Sequence, residues 1–529
     1  MASQQNQPPQ RPEEQEEIDM LDPDEAEEIV ADDEDAHMES DDEGDDGAAL
    51  QEIQLENDSI AHFDTHKDSI FSIAQHPKHR NIIATGGGDD VGYIFEVLVK
   101  EKERPPLPAS WSGEPGSGAA TQARQEREGL QQLFKLDGHT DSIAAIAFTQ
   151  PAGEYIVSGG MDGKLRAWQD TSSGACMAWK FTGEAQEVEE IAWISPCPHP
   201  DYPNTIALGA SDGSIWVYTI NAADTASPLT IVQAFYLHTG PSTAGAWTPD
   251  GKLLATVSED ASFYVWDVFG EAAAAGITNP SAGQAVVGLT GEDERFRVDG
   301  GLYSVAIAPN GAFAAVGGAE GHIRIVGLPR IGADPSVTSG ARGAGARGKA
   351  AGGKQAGGPK GGAGAATGQA GAILASLQTQ QDSVETIAFS QPPLSLMAAG
   401  SVDGSIVLID TAHRFAVRRH IQQAHFDEDA ETEQAVIKVE FVKPQQQGTG
   451  AQAAPGSWLL TSCGNDGVVR RWDARGGTAA ANRGLVGEWR GHRGGGEGGG
   501  VMGFVQGAGE RVVTAGDDGV ALVFDTPIA

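Results

Sequence analysis

The stretch GHTDSIAAIAFTQPAGEYIVSGGMDGKLRAWQD, Gly138 to Asp170, decides the fold. Its apolar residues fall in short alternating or continuous runs, SIAAIAF, EYIVSGG and KLRAW, bounded by Gly, Asp and Pro, which is strand spacing rather than helical spacing. Working outward, the same order returns along the chain. An Asp stands six residues before an aromatic or apolar position at Asp89 and Phe95, Asp162 and Trp168, Asp212 and Tyr218, Asp260 and Trp266, Asp403 and Ile409, Asp466 and Trp472, and Asp518 and Phe524. Glu320 before Val326 completes eight. Successive anchors are 48 to 83 residues apart, so a repeat of about 40–45 residues has been lengthened by insertions. Eight modules in line predict eight blades, each a four-stranded antiparallel sheet that buries its faces against its neighbours.

These modules resemble the WD40 repeat family over residues 59–529, and the fold class expected is all-β, an eight-bladed propeller. In that family a blade's His, a Ser or Thr, the turn Asp and the Trp form a hydrogen-bonded chain. The resemblance therefore implies structural roles for His139, Ser158, Asp162 and Trp168, for His238, Thr256, Asp260 and Trp266, and for His425, Ser462, Asp466 and Trp472. The first and last modules keep His66, Thr85 and Asp89, and His492, Thr514 and Asp518, with Phe in place of Trp. Module five, with Glu320 and no Trp, is expected to rely on apolar packing. Recurring Ser, His and Asp could suggest a hydrolase, but a hydrolase needs one activated nucleophile beside an oxyanion hole, and this set repeats around a ring. The chain ends on GVALVFDTPIA, a third strand with no fourth after it. Ser59–Phe63 alternates apolar and polar residues ahead of His66, where other modules hold their outer strand, so this N-terminal strand is expected to close the ring.

Composition narrows the function. Glycine is 71 of 529 residues, about 13% against the usual ~7%, which suits many tight turns. The net charge of −39 excludes the broad basic surface of a general nucleic-acid binder and makes a cationic partner the natural complement. The three cysteines, Cys176, Cys197 and Cys463, have neither an even count nor zinc spacing, which points to a reducing compartment. No apolar run is long enough to span a membrane, and MASQQNQPPQ has neither a signal-peptide core nor a myristoylation glycine, so a soluble intracellular chain is expected. Without a P-loop, an HExxH pair or a calcium-loop spacing, no enzyme, metal or cofactor is predicted.

Residues 1–58 hold 23 acids against one base, Arg11, and supply −22 of the charge. Such a segment repels itself and holds too few apolar residues to order, so a disordered acidic tail is expected, as a solubiliser or as a polyanion that shields a basic client. On a propeller of this type the fourth-to-first and second-to-third connections share the top face. The insertions Val99–Gln125, Glu271–Gly283, Pro329–Gly371 and Lys443–Gly456 then fall on the bottom. Within them 336–371 is a Gly- and Ala-rich stretch with Arg342, Arg347, Lys349, Lys354 and Lys360 and no acid, read as a flexible loop. The top connections carry acids: Asp141; Glu187, Glu189 and Glu190; Glu259; Asp382 and Glu385; Asp427, Glu428, Asp429, Glu431 and Glu433; and Asp517. Like charge around a concave opening focuses potential on a cationic ligand, so a basic peptide is expected to dock there.

The order of features, an acidic tail, SIAHFDTHKDSIFSIAQHP, TGGGDD, QEVEEIAW and a terminal VVTAGDDGVALVFD, resembles the fungal WD-repeat ribosome-assembly proteins that chaperone large-subunit ribosomal protein L-ten. The resemblance implies a chaperone of 60S subunit biogenesis that holds the basic N-terminal segment of that newly made ribosomal protein on its top face and delivers it to a pre-60S particle. It further implies a cytoplasmic monomer, its nuclear share open, with no stable nucleic-acid or membrane binding. Alternatives from other classes are a chromatin factor that holds a histone tail and a signalling scaffold that holds a receptor tail.

Overall fold

Second strands such as Tyr155–Gly160, Thr205–Ala210 and Leu396–Ser401 are buried along their whole length. The outer strands alternate or lie open, as in Ile373–Gln378. Complete burial of short, apolar, β-branched runs requires cover on both sheet faces, and a radial stack of sheets supplies it. The computed structural model describes residues 57–97, 127–172, 177–277, 284–331, 369–427, 431–443, 454, 456–475, 484–494 and 499–528. All fall in the unit Leu55–Ala529. Within it stand eight blades: seven are sheets of four antiparallel strands, beginning with blade one (Ile70–Gln75, Ile82–Gly87, Gly92–Glu96, Gln132–Leu136), and the eighth is built on the three last strands, Val501–Val505, Arg511–Gly516 and Ala521–Asp525. The first strand of each blade touches that of the next, and Ile70–Gln75 of blade one meets Val501–Val505 of blade eight, so the first strands make a closed inner ring. Apolar cores lie between neighbouring blades, as where Trp168 and Ile156 of blade two meet Ile94 and Ile82 of blade one.

The ring closes through the N-terminal strand, as expected. Ala61–Phe63 pairs antiparallel with the last strand, with Ala61 opposite Val523 and Phe63 opposite Ala521. The seam holds more than the sequence suggested. Beyond the expected four strands, Glu128–Gly129 runs parallel along Ala61–His62 as a fifth, and the Arg127 guanidinium donates to the carbonyls of Ser59 and Asn57 at 3.1 and 2.5 Å. A returning insertion of blade one thus covers the edge that the closing strand would leave bare. Asp58 adds a two-way bond with the backbone of Arg490, at 2.8 and 2.9 Å. On the other flank Arg471, fully buried, donates to the carbonyls of Gly509 and Thr526 at 2.8 Å each, tying blade seven to the chain end.

The insertion Glu271–Gly283 opens with a single-turn helix, Glu271–Ala274, and Glu271 pairs with His199 at 2.8 Å and Lys252 at 2.9 Å. Most of the acidic tail, most of the stretch 336–371 with its five bases, and Cys176 lie outside the described residues.

Candidate functional site

Two repeated devices shape the top of the ring. In every blade an N–H of the second-to-third turn donates to the carbonyl just before the first strand. Examples are Gly88 to Ser69, Met161 to Ser142, Glu259 to Pro241 and Asp517 to Gly500, at 2.8 to 3.1 Å. This staple fixes turn and approach together, so side chains from both stand at one rim. In every blade, too, the pairing of first and second strands slips by one residue, at Phe71, Ala144, Ala192, Thr243, Tyr303, Glu385, Ile437 and Met502. Such a bulge re-aims a side chain, and all eight stand at the same place, one residue into the inner strand and just past the staple.

Beneath the rim sit the polar sets. His139 lies 2.7 Å from Ser158 and 3.0 Å from Asp162 through its two ring nitrogens. His425 lies 2.8 Å from both Ser462 and Asp466, and Trp472 donates to Ser462 at 2.9 Å. His66 and His492 span Thr85 and Asp89, and Thr514 and Asp518, in the same way. Two sets differ from the expected four-member chain. In blade two Trp168 is buried by packing, its ring edge-on to Phe181 at 5.8 Å. In blade four Asp260 stands 3.9 Å from His238, and Ser262 bridges them: its hydroxyl is 2.6 Å from His238 and bonds Asp260, while Thr256 holds the other ring nitrogen at 2.8 Å and accepts from Trp266. Glycine ahead of the turn makes this approach possible. A Cβ on Gly160 would sit 2.5 Å from Asp162 and 2.6 Å from His139.

Burial lowers the pKa of His66, His139 and His238, the last to about 4. Burial works against ionisation of Asp162, but bonds from the Thr140 amide and from His139 outweigh it and hold the carboxyl at about 2. Asp260 and Asp466 are also held at about 2, against burial, by Ser262 and the Thr239 amide and by His425 and Arg470 respectively. These groups are buried, paired and repeated, which makes them turn locks. Sequence reasoning missed the position four residues after the turn acid, which covers the histidine: the rings of Tyr93 and Tyr264 stand edge-on to His66 and His238 at 4.7 and 5.0 Å, and Arg470 reaches His425 at 2.9 Å. In blade five the same position is Arg324, which is buried and donates to the carbonyls of Phe296 and Arg297. That polar anchor adds to the apolar packing expected there, and the fixed spacing was the signal that could have revealed it.

The rim acids fall into groups by blade. Asp141 and Asp382 are exposed and each accepts the following serine N–H at 2.7 Å. Asp68 does the same to Ser69 at 2.7 Å in the same Asp-Ser-apolar motif, and sequence reasoning passed over it. Glu187, Glu189 and Glu190 are exposed before blade three, and Glu187 raises the pKa of the nearby Tyr218, second to burial. Exposed Glu259 joins Asp382 and half-buried Glu385 around Tyr303: burial first, then these three carboxylates, pushes the phenol pKa up. Burial and Asp382 push Glu385 up as well. Asp517 accepts from the Ser69 hydroxyl at 2.5 Å, across the seam between blades eight and one. Before blade seven the acidic loop is a small hairpin, Phe426–Asp427 against Thr432–Glu433. Gln423, Phe426, Glu431, Thr432 and Glu433 line an open hollow of ≈ 720 Å³ beside it. Glu428 and Asp429 lie outside the described residues.

The family model "WD domain, G-beta repeat" matches residues 130–169 and 229–267, which are modules of blades one to two and three to four. Among curated proteins the chain is 27% identical to "Ribosome assembly protein SQT1" of Saccharomyces cerevisiae, over 94% of this chain and 92% of that one. Among solved structures it is similar to the crystal structure of Chaetomium thermophilum Sqt1, with 50% identity and a TM-score of 0.70 over 89% of this chain and 98% of that one. A second structure of the Chaetomium thermophilum protein, "bound to the N-terminus of the ribosomal protein L10", matches at 49% identity with the same TM-score, over 89% of this chain and all of that one.

Proposed function

The chain belongs to the Sqt1 family of WD-repeat proteins, and we propose that it is a dedicated chaperone of large-subunit ribosomal protein L10, which holds that protein's basic N-terminal segment on the acid-rimmed top face and delivers it to the pre-60S particle. The observation that carries this reading is the L10 N-terminus seated on a relative with half the same residues. The rim fits that role. A ribosomal protein is strongly cationic before it meets RNA, and a ring of carboxylates supplies temporary counter-charge that salt or a competing polyanion can displace. The stapled turns and the closed ring hold the acids in place before the client arrives, so little ordering opposes binding.

Binding without turnover, by a cytoplasmic monomer with no stable nucleic-acid contact, completes the proposal. The polar sets are spent on locking turns, and the purified protein should hydrolyse neither ATP nor GTP. Calorimetry with the L10 N-terminal peptide tests the face. Reversing Glu187 and Glu190, or Glu259 and Asp382, to Lys should weaken binding by about a hundredfold, since each acid-to-base contact is worth roughly 1–2 kcal/mol or more. Raising salt should mimic the reversals. Neutralising Arg342, Arg347 and Lys349 is the matched control. Affinity that survives reversal but falls with the control would place the peptide elsewhere, and capture of histones or receptor tails in preference to L10 would overturn the chaperone reading.

A further inference from the structure

The mouth of the ring is not uniformly acidic. Of the eight bulge residues, those of blades five and six are Tyr303 and Glu385, beside Glu259 and Asp382. Across the opening, blades eight, one and two present Met502, Phe71 and Ala144. Among the described residues, Phe71 and Met502 are half-buried yet belong to none of the apolar cores, unlike Ile437, which packs on the core between blades seven and eight. The turn of blade two adds Met161, 44% exposed and stapled to Ser142 beside Asp141. Gly88 leaves room here, since a Cβ on it would meet the Phe71 ring at 3.2 Å.

A folding chain gains by burying Phe and Met, and the bulge removes these from the cores on the face where a client is to bind. We propose that this arc, Met502, Phe71 and Met161, seats a large apolar side chain of the same basic segment, so that the face reads an amphipathic peptide rather than positive charge alone. The inference rests on the chaperone reading and adds the basis of its selectivity. Attraction between opposite charges is long-ranged and accepts any polycation, and salt weakens it. Apolar contact is short-ranged, demands a matching side chain and survives salt. Continuity with the acidic rim commits the arc to that one occupant, because any cationic peptide held there has its neighbouring side chains over Phe71 and Met502.

The test is calorimetry of the full chain with the L10 N-terminal peptide at low and high salt. A second peptide keeps every Lys and Arg but has its apolar and aromatic residues changed to Ser. The doubly substituted protein, Phe71→Ser with Met502→Ser, should lose about tenfold in affinity at both salt concentrations, with the salt dependence unchanged. The Ser-substituted peptide should bind the unaltered protein with the same loss and be indifferent to the protein substitutions. Met161→Ser, at an exposed position where folding is not at stake, should give a smaller loss of the same kind. Melting curves of each variant show that the ring is intact. Equal affinity for both peptides, or a loss that vanishes at high salt, overturns the inference and leaves the chaperone reading standing. Failure of the unaltered protein to bind the first peptide at any salt overturns both.

Discussion

Lowering the pH from 7 to 5 should cost the ring stability through its buried histidines, and His238 allows the magnitude to be worked out. Its ring is enclosed between the hydroxyls of Ser262 and Thr256, and burial brings its pKa to about 4. The unfolded chain, with a His pKa of about 6.5, takes up a proton first. Stability from the neutral ring is therefore complete above the unfolded pKa and falls as pH drops toward the folded one. At pH 5 the loss from this one group is about 2 kcal/mol, by the linkage of two pKa values about 2.5 units apart. His66 and His139 shift in the same direction and add to it. Asp260, at about 2, loses its own contribution only below the ordinary Asp range, outside this window. The measurement is the melting temperature at pH 7, 6 and 5, at one scan rate, for the unaltered protein and His238→Asn. The variant starts lower at pH 7 because Ser262 and Thr256 lose a partner, but its decline should be shallower by about 2 kcal/mol, or ~2 °C for a ring of this size. Parallel declines would show that His238 is protonated as readily in the fold as outside it, and would refute the reasoning.

Two further outcomes follow from the seam and the bridge in blade four. Removing residues 1–56 should leave the melting temperature nearly unchanged, removing 1–63 should lower it sharply and promote aggregation by exposing the last blade's edge, and Arg127→Ala should fall between. Equal melting temperatures for the two truncations would show that the ring closes without Ala61–Phe63. Ser262→Ala should cost about 1–3 kcal/mol in chemical denaturation, because it leaves His238 and Asp260 without the hydroxyl that joins them. A neutral result would mean that the carboxylate closes the 3.9 Å gap to the ring on its own.

The polar locks and the acidic approaches were legible because each module repeats the same local problem. A turn acid six residues before an aromatic or apolar position can be counted along a chain, and the eight copies make the count decisive. The closing strand was legible for the same reason: a last module short of one strand and a leading segment with strand alternation have one way to meet. Where reading failed, the missing information was a neighbour. Ser262 had no special spacing until Asp260 proved too far from His238, and Asp68 repeats the motif of Asp141 and Asp382 but was passed over.

By itself, then, the sequence determined the blade count, the turn residues that lock most blades and the N-terminal closure, because periodicity is written in adjacent residues. Tertiary structure alone decided the fifth strand at Glu128–Gly129, the Arg471 clamp on the chain end, and the gathering of Glu259, Asp382 and Glu385 around Tyr303 opposite Phe71 and Met502. Those depend on residues tens to hundreds of positions apart becoming neighbours when the ring shuts, and no local pattern records which of them will meet.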